Sequence, residues 1–404
     1  MLNPYFLMVL LYLAVGALAV LDASLVSFEL LPWFNGLRWL RVHFITLGIL
    51  SETVFGVLPI LAAGQLGKPR PKTRWDIWLT LNAGLIVLLA GIPAVNGVLI
   101  FTGGTLIFVA ATLLALQLWQ LRGSGADGLP ASTRFYVSGL AYLLLGIIVG
   151  TGLWLGWSAP LRIQVPLEVH IHANNWGFMS LLFAGLLVSI APSVSGRPLA
   201  SPRALDMIFW GMTLGALGLV VGPWLGGALW ATVPGLILHL AATLWLLGAL
   251  VRTLARGKLL GTPGAWHLVT AYVWILAPVL IAPLILLGVP GFPGAGIEAT
   301  APQALIYGWV LQFAYALIPY FVMRYIQHDP QPRLGGSWVS LLAVHAGSAL
   351  VWASIFVEAW RGPLHGAGYA FYALSMLPFA LQLGRQFRQQ WRTVEEMMPT
   401  ATGD

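Results

Sequence analysis

Histidines are the residues in this chain whose type and spacing first suggest chemistry. There are eight: His43, His170, His172, His239, His267, His328, His345 and His365. His170 and His172 stand two apart in Val-His-Ile-His-Ala-Asn-Asn-Trp-Gly-Phe at 169–178. On a helix turning about 100° per residue their rings leave about 200° apart, so one helix offers an imidazole to each of two opposite sides. His43 precedes a Gly48 as His172 precedes a Gly177, five residues on in both cases. The matched register puts His43 and His172 at equal depth on facing helices. Neutral imidazole is a common metal ligand and a frequent axial ligand of haem iron. Two level imidazoles beside glycines that admit a flat ring suit a bis-ligated haem. Zinc is less well served, because it wants about four tetrahedral ligands and this pair is linear. The plain alternative for any one ring is a neutral imidazole bonded to a neighbouring helix. With no cysteine, disulfides, Fe–S clusters, thiolate zinc sites and covalent haem c are excluded.

The elements that position these residues follow from composition. Of the 404 residues 59% are hydrophobic and 8% charged, and the mean hydropathy is +0.85. A soluble chain of this length would be about a quarter charged. Apolar runs near the length of a membrane crossing fall at 4–26, 38–63, 76–94, 98–121, 134–157, 167–191, 204–224, 228–251, 264–288, 302–324, 337–358 and 365–384. The chain is therefore expected to be an all-α polytopic membrane protein of about twelve helices. It would form a single integral membrane domain over 1–404, with a short cytoplasmic tail at 391–404. Sixteen of the twenty Lys and Arg residues follow even-numbered spans, and only Arg38, Arg41, Arg162 and Arg361 follow odd-numbered ones. The positive-inside rule then places both termini in the cytoplasm, in a cell inner (plasma) membrane. The net charge of +7 reads as this topology signal, and no nucleic-acid partner is expected.

The spans repeat. Span two reads His43, Gly48, Gly56, Pro59; span six reads His172, Gly177, Gly185, Pro192; span ten reads Gln303, Gly308, Ala316, Pro319. The anchors His43, His172 and Gln303 are 129 and 131 residues apart. Twelve helices thus divide into three four-helix units at approximately 1–125, 126–255 and 256–390. Arg38 and Arg41, outside His43, are placed to pair with haem propionates, or else snorkel as ordinary interfacial arginines. Glu52, nine residues after His43, counts round to the opposite face. It reads either as a structural carboxyl in a second channel or as a proton relay. Asn174 and Asn175 are candidates for hydrogen bonds between helices. Tyr307 and Gln312 would line a third channel without a cofactor. His328 and His365 are expected in solvated loops.

The motif at 169–178, continuing to Gly185, Pro192 and Gly196, resembles the His-x-His signature of the NnrS family of haem- and copper-containing membrane proteins. It is also similar to the His-x-His helix of haem-copper oxidase subunit I, including the cbb3-type and nitric-oxide-reductase branches. The resemblance implies twelve spans in three units. It implies that His43 and His172 hold a low-spin haem b, and that His170 is the proximal ligand of a second haem. It departs from the oxidases in lying on span six, in having Gln303 on span ten, and in lacking any His-His pair. Copper would be left to scattered residues such as His239, His267 and His345. The NnrS likeness implies oxidoreductase or stress chemistry on nitric oxide or another small gas, with electrons from quinol or a separate subunit and lipid around the helices. Two other readings stand beside it. One is a transporter or channel along a path lined by His43, His172 and Glu52; the other is an assembly factor for a respiratory complex.

Overall fold

In a computed structural model the described residues are 3–32, 37–121 and 129–397. They form helices and connecting turns, with no β-strand among them. Twelve helices run in chain order: α1 Pro4–Ser27, α2 Trp39–Gln65, α3 Trp75–Gly91, α4 Gly97–Gln120, α5 Ala131–Leu155, α6 Pro166–Ser195, α7 Pro202–Trp224, α8 Leu229–Arg256, α9 Pro263–Ile285, α10 Gly294–Tyr325, α11 Trp338–Phe356 and α12 Arg361–Met397. Ten are long and apolar enough to cross a membrane, and α3 is a shorter apolar helix. The chain is a polytopic all-α membrane protein.

Two boundaries differ from the hydropathy reading. α10 begins at Gly294, eight residues before the expected start, because 294–301 is built of Gly, Ala and Thr around Glu298 and scores as a loop. Ile297 and Ala301 are nevertheless buried, and this segment packs on α11. α12 runs on to Met397 instead of ending near 384. Its 37 residues make about 55 Å of helix, well beyond a hydrocarbon core of ~30 Å. The expected tail therefore begins as helix, and its last seven residues lie outside the described residues.

The helices pack in one order three times. First lies on second, third on fourth, and the fourth of each unit on the first of the next: α4 on α5, α8 on α9, α12 on α1. The second helices, α2, α6 and α10, surround the axis and are the most buried spans. Each changes pitch partway along. α2 is π-helical over Phe44–Leu50, α6 over Ala173–Met179 and α10 over Ile306–Val310. In each case the stretch begins just after His43, His172 or a little beyond Gln303. Side chains cap backbone carbonyls in and beside these wider turns: Ser51 donates to Thr46 at 3.1 Å, Asn174 to His170 at 2.8 Å and Gln312 to Gly308 at 2.6 Å. A π segment also breaks the 100° count along a helix.

Within each π segment a glycine is covered by an aromatic ring from the first helix of the same unit. A Cβ on Gly48 would sit 2.6 Å from Tyr12, and one on Gly308 2.5 Å from Trp274; on Gly177 it would overlap Tyr142. Tyr12, Tyr142 and Trp274 are 130 and 132 residues apart, each step one residue longer than that between the anchors. The axis itself is filled with apolar side chains, among them Ile49, Val54, Phe183, Val310, Phe313 and Leu317. Phe183 stacks on Phe313 at 4.1 Å and meets Trp309 edge-on at 4.9 Å.

Candidate functional site

Three of the histidines share one arrangement. His43 Nδ1 donates to the Trp39 carbonyl at 2.7 Å, His170 Nδ1 to the Gly146 carbonyl at 2.9 Å, and His172 Nδ1 to the Leu219 carbonyl at 2.6 Å. A carbonyl only accepts, so each Nδ1 carries the proton and each Nε2 presents a lone pair. This is how proteins set the tautomer and orientation of a metal-ligating imidazole. The three rings lie deep in the bundle, yet each keeps part of its surface accessible, as a side chain bordering internal space does. His239 and His267, by contrast, are fully packed.

The two rings of the His-x-His pair turn to different neighbours, as their spacing predicts. His170 faces α5 and His172 faces α7. His43, whose ring stacks on Trp39 at 3.9 Å, lies within electrostatic reach of His170. Beside the expected partner His172, His170 is thus a second candidate to share a ligand with His43. Spacing gives the angle between two side chains, but which helix stands on each side is a property of the packing. α5 leaves room for the His170 ring with two glycines. A Cβ on Gly150 would lie 2.6 Å from His170 Cε1, and one on Gly146 would overlap Asn174. α2 comes close to α10 through their π segments but does not approach α6 in that way.

Other expectations are corrected. Gly48 and Gly177 do not face open space for a flat ring; Tyr12 and Tyr142 fill it. Arg41 is committed away from His43: it pairs with Asp22 at 3.2 Å and lies over the Tyr369 ring at 5.6 Å. The Arg38 side chain lies outside the described residues. His239 and His345, expected as scattered copper ligands, are each engaged with protein partners. His239 bonds the Trp176 carbonyl at 3.1 Å and Thr243 at 3.2 Å. His345 accepts from Trp274 Nε1 at 3.0 Å and bonds Thr270 at 2.8 Å. Both nitrogens of each ring are used, and no group of three or more His, Cys, Asp or Glu gathers among the described residues. Asn174 bonds within its own helix. His365 lies in the first turn of α12 and contacts Ser27 at 3.3 Å.

The position on α10 that matches the two histidine anchors is closed. Gln303 accepts a short hydrogen bond from Tyr369, Tyr307 stacks on Tyr372 at 4.7 Å, and Tyr307 donates to the Arg41 carbonyl at 2.9 Å. Tyrosine rings occupy the third inter-unit space. His43, His172 and Glu52 are not among the side chains that line the apolar seam at Ile49, Val54, Phe183 and Phe313.

Trp39, Gly146 and Gly150 belong to the site and were not singled out in the sequence. The glycine spacing on span five, Gly139, Gly146 and Gly150, was the available signal. His43 and His170 are each fixed at Nδ1 with Nε2 left free to bind a metal, and Gly150 of α5 makes room for the His170 ring. His172 offers a single further imidazole on the other side of α6. No protein-family model matches the chain, and no curated protein matches it.

Proposed function

We propose that this protein binds haem b between α2 and α6, with His43 and His170 as its axial ligands, and that it transfers electrons or handles a small gas such as nitric oxide. The observation that carries this reading is the shared tautomer of the two rings, each pinned at Nδ1 by a carbonyl and free at Nε2. When bound, a six-coordinate haem supplies reversible one-electron chemistry. The residues of the chain do the rest. Trp39 stacks on one ligand and fixes its plane, and the carbonyls of Trp39 and Gly146 raise the basicity of the coordinating nitrogens.

His172, similarly fixed by Leu219, faces α7 alone. A second haem held there would have one protein ligand and one open position, which is the requirement for binding nitric oxide or CO. The likeness of the 169–178 motif to NnrS proteins supports a gas of this kind, with quinol or a separate subunit as electron donor. Copper has no ligand set among the described residues. The distribution of Lys and Arg supports a plasma-membrane protein with both termini in the cytoplasm, which a C-terminal reporter fusion tests.

The test of function is the reduced-minus-oxidised spectrum of protein purified from haem-replete cells. The proposal expects a Soret band and a sharp α-band of a six-coordinate b haem, and a spectral change on adding CO to the reduced form. Colourless protein under those conditions refutes haem binding and favours transport.

A further inference from the structure

The threefold repeat provides an internal comparison at one buried position. Glu52, Leu181 and Gln312 each stand nine residues after an anchor, and each is 0% exposed. In the third unit Gln312 is fully engaged: its oxygen meets His267 at 3.3 Å and Thr270 at 3.2 Å, and its nitrogen donates to Gly308 at 2.6 Å. In the second unit a leucine suffices. The fold therefore does not need a carboxyl here. In the first unit neither oxygen of Glu52 has a hydrogen-bond partner within 3.5 Å. Its polar neighbour is Asn82 on α3, which reaches it with a weak, longer side-chain hydrogen bond; Asn82 Nδ2 donates to Trp78 at 2.9 Å and its Oδ1 lacks a partner. Tyr5 and Tyr12 of α1 are within electrostatic reach.

A carboxylate this buried in the core of a membrane protein, without a close hydrogen-bond partner, is too costly to persist. One proton on Glu52 removes the charge.

We propose that Glu52 is a proton-binding site of the first four-helix unit, held as a neutral carboxylic acid. Nothing in this depends on a bound cofactor.

The experiment is infrared spectroscopy of the full-length protein at neutral pH, in H2O and after transfer to D2O. The wild type is expected to show a carboxylic-acid C=O band that is lost in both Glu52→Gln and Glu52→Leu, the second copying the residue of the second unit. The band is expected to shift down in D2O. Absence of a band difference between wild type and Glu52→Gln would overturn protonation, and a band that never responds to D2O would overturn exchange of the proton.

Discussion

The imidazole of His170 is held by one hydrogen bond and one missing methyl group. The bond is from Nδ1 to the Gly146 carbonyl at 2.9 Å, and the methyl group is the one Gly150 lacks. An added Cβ would stand 2.6 Å from Cε1 and 2.7 Å from Nδ1, so the ring must leave its place and its carbonyl. Disturbing the group that orients a metal ligand costs roughly 10- to 100-fold in affinity. Gly150→Ala should therefore lower haem retention by about tenfold or more, measured as haem per protein after purification. The effect should also be non-additive: Gly150→Ala with His170→Ala should lose no more haem than His170→Ala alone, because the first acts through the second. Full additivity would mean that Gly150 matters for some other reason. The angle between His170 and His172 was legible in the sequence, since two residues on a helix fix it. The identity of His43's partner was not, because only packing decides whether α5 or α7 stands beside a given ring.

Among the helices the π segments of α2, α6 and α10 decide how the units are built. Each presents a glycine to an aromatic ring of the preceding helix, Gly48 to Tyr12, Gly177 to Tyr142 and Gly308 to Trp274. Tyr142 also donates to the Thr213 carbonyl at 2.7 Å, tying α5 to α7 across α6. Gly177→Ala would overpack this contact and should destabilise the protein by about 1–3 kcal/mol, seen as a lower Tm in detergent. Pairing it with Tyr142→Leu should recover part of the loss; no recovery would show that the glycine serves another contact. The twelve helices were readable because a membrane crossing must be apolar for about 20 residues. The π turns were not, because hydropathy carries no information on whether a carbonyl bonds four or five residues ahead. Glu52, expected on the face opposite His43, lies toward α1 and α3, near Tyr12 and Asn82.

Taken as a whole, the molecule repeats one architecture three times around an axis lined mainly by apolar side chains. On the function proposed above, His43 and His170 share the first inter-unit space and His172 stands in the second, while in the third Tyr307, Tyr369 and Tyr372 pack together. The repeat was visible in the sequence as His43, His172 and Gln303 at equal steps. The closing of the third space was foreshadowed there only by the missing histidine; the tyrosines that fill it come from α12 as well as α10. The distinction between the first two spaces is the central claim, and alanine variants of the three histidines test it most directly through the optical spectrum of the reduced, haem-replete protein. The account predicts that His43→Ala and His170→Ala each abolish the six-coordinate signature while His172→Ala keeps it. A signature that survives His170→Ala and disappears in His172→Ala would contradict it.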